Sequence, residues 1–243
     1  MKSFKFFAMA AFLAVATSAS AQTKETSTAS EGWSSVYVQW SPSSMDYKKH
    51  SESFTGLSVG YNQAFKILAD KPLYIEGGIA LQYSFDSDDL TEDIFDEDML
   101  DLIYEFDLDA DIERKMSLVS LKIPVNLTYK FDLPSSPIAI APFAGLLLRA
   151  NLIGTQRLSI GGDLADEMSD KQLEKLEESM DLFSDDDMGK DGTWNRFQLG
   201  WQIGANVYFG GKYYAGISYG TDFSEIYKKT KISTTSITLG YCF

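Results

Sequence analysis

Residues 232–243 read ISTTSITLGYCF, and this stretch decides the class of fold. The odd-numbered positions from Ile237 to Phe243 are aliphatic or aromatic, whereas the even-numbered ones are Ser236, Thr238, Gly240 and Cys242. Successive side chains of a strand point to opposite faces, so this alternation predicts a β-strand between two different environments. The sequence stops on an aromatic residue in mid-alternation, whereas a frayed terminus is normally polar. Two interpretations follow: a strand that closes a barrel, or an ordinary final strand.

The N-terminal segment predicts export. A basic start precedes an apolar run from Phe6 to Val15, and Ala19-Ser20-Ala21 is a small-x-small cleavage motif. This pattern is typical of a secretory signal peptide, residues 1–21, cleaved after Ala21. Residues 22–32 are rich in Ser and Thr and predict a disordered leader. The remaining residues, 33–243, are predicted to form one domain, and no segment in them has the roughly 18 consecutive apolar residues of a transmembrane helix.

Acidic residues are concentrated in two segments. Residues 86–115 contain 14 of the 35 Asp and Glu residues, and residues 163–192 contain 12. The net charge of −14 therefore belongs mainly to two insertions, bounded as 86–117 and 154–193, and the rest of the chain is close to neutral or basic. Nucleic acid is not an expected partner, because a phosphate backbone requires a basic surface.

Eight segments with alternating hydropathy follow the leader. They are residues 33–41, 54–67, 73–85, 119–131, 138–153, 194–209, 213–223 and 232–243. The connections near 68–72, 132–137 and 210–212 are short, and they alternate with the loops 42–53 and 224–231 and the two acidic insertions. In up-and-down strands all the short turns then lie at one end, as in outer-membrane barrels with tight periplasmic turns and long external loops.

Alternation alone leaves open which face is outside, because an exported lipocalin-like barrel has the inverse arrangement. The polar face carries small polar residues and a few charges of both signs, namely Glu76, Lys122, Lys130, Arg149, Arg196 and Asp222. Such a face suits a narrow lumen, and aromatic residues near both ends of the apolar face suit a membrane girdle. We therefore predict an all-β fold: an eight-stranded antiparallel up-and-down transmembrane β-barrel with two long acidic, partly helical external loops, located in the bacterial outer membrane.

Several strands resemble those of a known family. SLKIPVNLTYKF (120–131), FQLGWQIGANVYFG (197–210) and YYAGISYGTDFSEIY (213–227) are similar to strands of the PorT-like outer-membrane β-barrel family of Bacteroidetes, with small OmpX-type architecture. The resemblance implies an outer-membrane barrel and, by analogy, a place in a secretion or envelope complex, but these motifs specify no ligand. The last strand resembles the C-terminal strand of outer-membrane barrels, where a terminal Phe is the assembly signal. Phe243 would then be recognised by the barrel assembly machinery.

Local irregularities are also predicted. Pro124 lies inside a strand, which is tolerated at a bulge or a protected position. The apolar parity changes between Leu118 and Val119, which predicts a bulge there. Residues 104–112 alternate with period two and are compatible with an extension of the fourth strand beyond the membrane, and residues 156–160 are compatible with a prolongation of the fifth strand.

The acidic insertions predict amphipathic helices. Apolar residues recur at helical spacing from Thr91 to Ile103, and again from Leu173 to Phe183 after capping-box spacing at Ser169 and Gln172. Either these helices pack over the barrel mouth as a cap, or they form a partner groove or a cation-binding surface. Two carboxylate runs, 107–112 and 187–198, fail the calcium-loop pattern, because the turn glycine or the ligands are missing. A solvated acidic surface is the favoured interpretation.

No catalytic, cofactor-binding or metal-binding residue is assigned, and no cofactor is expected. His50 is the only histidine and is placed in a polar loop, which rules out a His-based triad. Cys242 is the only cysteine and is expected to face the lumen. Arg149 and Arg196 are predicted to form a salt-bridge network with Glu76 inside the barrel.

The predicted function is that of a small non-porin outer-membrane protein, not an enzyme, whose acidic external cap serves surface interaction or envelope structure. One alternative is a component of an outer-membrane secretion or envelope complex, and a third is an outer-membrane enzyme acting on lipid or peptide. The expected partners are the outer-membrane lipid bilayer, the barrel assembly machinery through Phe243, and an envelope protein at the acidic loops.

Overall fold

A computed structural model describes residues 32–47, 50–89, 110–162, 169, 177, 179–189, 192–227 and 230–243. Eight long antiparallel strands form a ring: β1 Trp33–Tyr47, β2 His50–Lys66, β3 Leu73–Asp89, β4 Ala110–Tyr129, β5 Ile138–Gly162, β6 Phe197–Phe209, β7 Tyr213–Asp222 and β8 Lys231–Cys242. Two-residue strands at Phe131–Asp132 and Met180–Asp181 pair with β5. The helix α1 covers Asp185–Met188. Within the described residues, no helix is long and apolar enough to cross a membrane.

The last strand closes the barrel, as the sequence predicted. β8 pairs with β1 from Ser35 opposite Cys242 to Asp46 opposite Lys231. The Phe243 N–H donates to the Ser34 carbonyl at 2.9 Å, and the Ser34 N–H donates back to the Phe243 carbonyl at 3.3 Å. The terminal aromatic residue is therefore held in the sheet by backbone hydrogen bonds.

The apolar face lies outside. Large exposed side chains occur on every strand, including Val38, Leu127 and Leu239, which is 58% exposed. The alternate positions are buried and mostly polar, as at Ser41, Thr128 and Gln198. This arrangement confirms the transmembrane interpretation over the lipocalin-like one, because an aqueous exterior would not accommodate a continuous apolar band.

On the side of the barrel with the long connections, β1 to β5 extend further than the strand segments predicted from the sequence. The predicted loop 42–53 is wrong, because β1 and β2 continue to the pair Tyr47 and His50, which places His50 in a strand. β4 and β5 have 20 and 25 residues and continue beyond the membrane-spanning segments, as the extensions predicted for residues 110–112 and 156–160 required. A strand needs only about 9–11 residues to span a membrane. Beyond that length the outward face also meets water, so the pattern of outward apolar and inward polar residues that marks the membrane-spanning part is lost.

The bulge lies in the strand opposite the predicted one. Val119 pairs with Ile153 and Ser120 pairs with Asn151, so Leu152 is the extra residue, in β5. β4 itself keeps its orientation, because Leu118 and Ser120 are both buried. The parity change in the sequence therefore marks a change in the chemistry of the interior, from polar in the membrane to apolar above it.

Pro124 produces no bulge. The β3–β4 pairs Gly77–Val125 and Ala80–Lys122 have the same register on either side of it. Proline has no N–H to donate, so the ladder is interrupted for two pairs and then resumes.

Several predictions fall on other parts of the chain. The signal peptide, residues 22–31, the helix over 91–103 and most of the helix over 173–183 lie outside the described residues. The end of that second helix was wrong, because Met180–Asp181 form a strand and Leu182 and Phe183 a turn. The Ser184 hydroxyl then accepts from the Asp187 N–H and caps α1.

Candidate functional site

The interior is filled in three layers, and the inner layer, at the end with the short turns, is aromatic. It comprises Tyr37, Tyr208, Tyr214 and Trp33, together with small residues and Cys242. The ring centroids of Tyr208 and Tyr214 are 5.1 Å apart, and those of Trp33 and Tyr208 are 5.8 Å apart. The Lys130 ammonium lies 4.3 Å from the Trp33 ring and 4.2 Å from the Tyr208 ring, a cation–π arrangement. These side chains block the inner end of the lumen.

Two glycines make room for these rings. A Cβ on Gly60 would lie 2.3 Å from Tyr37 Cζ, and a Cβ on Gly240 would lie 2.2 Å from Tyr214 Cε1. Both glycines are on neighbouring strands directly opposite the tyrosine that they face. The rings can lie flat against the wall only because these positions carry no side chain.

The middle layer is polar and contains a buried ion pair. Arg149 Nη1 is 3.0 Å from Asp222 Oδ2, and the two side chains are only 5% and 4% exposed. The same Nη1 donates to Gln198 Oε1 at 3.1 Å. Lys122, the cross-strand partner of Arg149, donates to Gln39 Oε1 at 2.6 Å and to Gln82 Oε1 at 3.0 Å. Amide oxygens therefore solvate one buried cation, and a carboxylate neutralises the other.

Glu76 lies deeper in the same layer. It accepts hydrogen bonds from Asn62 Nδ2 at 3.0 Å and from Thr128 Oγ1 at 3.2 Å. Glu76 and Asp222 equal Lys122 and Arg149 in number in the described middle layer, and Glu76 also interacts electrostatically with the Lys130 ammonium of the inner layer. Buried charges of both signs in hydrogen-bonding contact with amides are the arrangement that a low-dielectric lumen tolerates.

The predicted salt-bridge network was wrong in its membership. Arg149 pairs with Asp222 and not with Glu76. Arg196 lies outside the lumen, where Nη1 donates to the Leu152 carbonyl at 3.1 Å and the guanidinium covers the Phe183 ring at 4.4 Å. Arg196 lies just before the first residue of β6, so the alternation of the strand does not determine whether its side chain points into the lumen or outward.

The spaces left in the middle layer are small. A cavity of about 40 Å³ lies between Glu76 and Lys122, and another of about 10 Å³ lies beside Lys122, Arg149 and Asp222. Since a water needs on the order of 10–15 Å³, the larger one has room for about three waters. Neither cavity can pass a solute.

The outer layer is apolar and includes part of the second acidic insertion; we call it the outer cap. Leu182, Trp194 and Ile226 are buried against strand residues Met45, Phe54, Met116, Leu118 and Ile232. The Leu182 N–H donates to the Gly154 carbonyl at 3.1 Å, and the Trp194 N–H donates to the Leu182 carbonyl at 2.8 Å. The Trp194 and Tyr227 rings stack 6.0 Å apart. The described part of this insertion thus packs into the barrel mouth, in agreement with the cap interpretation.

The family follows from the match of residues 7–243 to the model of the outer membrane protein beta-barrel domain. The chain belongs to this family. It is therefore an outer-membrane protein that crosses the lipid bilayer with its eight strands. No curated protein sequence is significantly similar to the chain.

Solved outer-membrane proteins show low similarity to this barrel. Ail of Yersinia pestis, in complex with the heparin analogue sucrose octasulfate, is 13% identical, with 88% of this chain and 99% of Ail covered and a TM-score of 0.43. Neisserial surface protein A is 12% identical, with coverage of 86% and 97% and a TM-score of 0.42. The outer membrane enzyme PagL is 10% identical, with coverage of 84% and 97% and a TM-score of 0.42.

Cys242 is buried in the inner layer, as expected. Within the described ranges, no cluster of three or more His, Cys, Asp or Glu side chains is arranged to hold a metal ion. Residues 107 and 109 of the first carboxylate run lie outside those ranges. Sequence reasoning predicted a cap made of helices but did not identify Leu182 and Trp194 as its buried residues, although they stand out as apolar residues beside dense carboxylates.

Proposed function

We propose that this protein is a closed, non-porin outer-membrane barrel that acts through its external surface and has no enzymatic activity. The observation that supports the proposal is the filling of the lumen by the aromatic layer, the charge-balanced polar layer and the outer cap. An eight-stranded barrel has an interior just wide enough for side chains. With the lumen filled, the external loops are the part of the protein left to contact other molecules.

The acidic external surface would mediate surface interaction or an envelope structural role. Asp185, Asp186 and Asp187 are exposed on α1 and belong to this surface. An envelope protein with a basic docking face is the partner whose charge complements it. The alternative, a component of a secretion or envelope complex, is supported by the resemblance of β4, β6 and β7 to PorT-like barrels. In both cases Phe243 would direct assembly through the barrel assembly machinery.

The closed lumen is tested by electrical recording. The full chain, refolded and checked for heat-modifiable gel mobility, is inserted into planar lipid bilayers. We expect no stepwise conductance, whereas steps in the range of general porins would contradict the proposal.

The external role is tested by chemical cross-linking in whole cells. Changing Asp185, Asp186 and Asp187 to Asn should reduce capture of an envelope protein, whereas Asp70→Asn with Asp132→Asn, at the opposite end, should not. A stoichiometric partner lost only in the first variant supports action through the acidic surface. Unchanged capture in that variant would refute it, and capture of secretion components would favour the alternative.

A further inference from the structure

Two basic side chains stand side by side on the outside of the barrel. Lys115 on β4 and Arg157 on β5 are direct cross-strand partners. Their side chains are 51% and 54% exposed. Directly opposite residues have Cβ atoms about 5 Å apart, so one anionic group can contact both.

Their height relative to the apolar band is fixed by the strand register. The next outward pair toward the membrane is formed by Ser117, two residues after Lys115 on β4, and Thr155, two residues before Arg157 on β5. Ser117 is also opposite Phe85 on β3. Phe85, level with Ser117, and Ile153, two residues below Thr155, are 43% and 57% exposed. Two residues of a strand advance about 6–7 Å, which is close to the thickness of one headgroup layer. The two cations therefore lie at headgroup level, one outward position above Phe85 and two above Ile153, whose side chains face the acyl chains.

Carboxylates already accept some of the hydrogen bonds that Lys115 and Arg157 can donate. Glu113 forms an ion pair with Lys115. Glu177 Oε2 accepts from Arg157 Nη2 at 2.6 Å, and its Oε1 accepts from the Ile160 N–H at 3.2 Å. An ammonium has three donors and a guanidinium has five, so the carboxylate contacts made by the described residues occupy only some of these donors. Glu113 lies one outward position further from the membrane, and its negative charge favours an approach from the lipid side.

We propose that Lys115 and Arg157 bind the phosphate headgroup of an outer-leaflet lipid whose acyl chains run along Phe85 and Ile153. Arginine matches phosphate oxygens in a bidentate manner, and lysine adds a compact charge. A free phosphate ion lacks the apolar contact below the pair and would meet the acidic loops from the water side. The site is thus continuous with the lipid-facing surface of the barrel.

The test measures lipid binding by the full chain in dodecyl maltoside micelles. Diphosphoryl lipid A is titrated, and bound lipid is counted by native mass spectrometry. EDTA is present, so that a divalent cation cannot bridge carboxylates and phosphates. Lys115→Gln with Arg157→Gln should weaken binding by about fivefold for each residue and roughly 25-fold for the pair, since a basic residue near an anionic surface contributes about 1 kcal/mol.

Two matched variants sharpen the result. Lys71→Gln with Lys212→Gln removes the same charge at the opposite end and should leave binding unchanged. Glu177→Gln removes a competitor of the phosphate and should tighten binding. Wild-type affinity in the Lys115/Arg157 double variant, or equal weakening in the Lys71/Lys212 control, would overturn the proposal. Displacement of the lipid by millimolar inorganic phosphate would also overturn it, because the site would then recognise a free anion. Heat-modifiable mobility verifies that each variant is folded.

Discussion

Removing the carboxylate of Asp222 should destabilise the barrel through two adjacent uncompensated cations. Asp222→Asn keeps the size of the side chain but leaves Arg149 without its ion-pair partner, 3.0 Å away. Lys122, the cross-strand partner of Arg149, is also buried and bound only by neutral amides among the hydrogen bonds described. The middle layer would then carry one carboxylate, Glu76, against two cations.

The magnitude follows from the burial of the pair. Removing one partner of a buried salt bridge costs about 3–5 kcal/mol, because the other charge remains desolvated. The arginine retains Gln198, so we expect a value near the lower end, about 3 kcal/mol. Replacing both partners is often close to neutral. Asp222→Asn combined with Arg149→Met should therefore regain at least half of the loss, at least about 1.5 kcal/mol relative to Asp222→Asn alone.

The assay is urea unfolding of the barrel in phosphatidylcholine vesicles, followed by tryptophan fluorescence. Wild type, both single variants, the double variant and Asp132→Asn are compared at equal lipid-to-protein ratio. Asp132 is an exposed acid near a periplasmic turn, so its amide variant should unfold like wild type. A loss below about 1 kcal/mol in Asp222→Asn, or a double variant no more stable than that single variant, would refute the charge-balance argument.

Three further outcomes are expected. Gly240→Val should lower the temperature at which heat-modifiable gel mobility is lost, because the valine Cβ would overlap the Tyr214 ring. A variant as stable as wild type would contradict the tight packing of this ring. Deleting Phe243, which forms two backbone hydrogen bonds with Ser34, should reduce the amount of barrel recovered in the outer-membrane fraction, and normal insertion would count against its role in assembly. Hydrogen bonds from Arg157 and the Ile160 N–H lower the pKa of Glu177 in the folded protein. The ionised Glu177 should therefore stabilise the folded state fully above the ordinary glutamate pKa of about 4.3. This stabilisation should disappear as the pH falls through the lower pKa of the folded state. The difference in unfolding free energy between wild type and Glu177→Gln measures this, and a difference that grows on acidification would have the wrong sign.

The fold could be predicted wherever the two faces of a strand meet different environments. β8 and the membrane part of β4 show this, because lipid on one side and a narrow lumen on the other impose strict alternation. The same rule failed at residues 42–53. There the outward face meets water, so polar residues occur on it and resemble a loop.

The interior contacts were less predictable than the strands. Alternation places Arg149 and Asp222 in the lumen, but their contact depends on the register of β5, β6 and β7 together. A single sequence does not provide that register. The pairing of Lys115 with Arg157 likewise depends on the bulge at Leu152, which shifts the register of β5 against β4.

The outer cap limits how this protein can be re-engineered as a display scaffold. Surface loops generally tolerate insertions and deletions, but Leu182 and Trp194 cover apolar strand residues that would otherwise face water in the mouth. A foreign epitope substituted for the whole second insertion would remove that cover and expose Met116, Leu118 and Ile232. A graft confined to positions between Gly162 and Met180 would leave the covering residues in place. The second insertion and the barrel therefore form one structural unit. Surface residues of the insertion can be changed, but Leu182 and Trp194, which seal the mouth, must be kept.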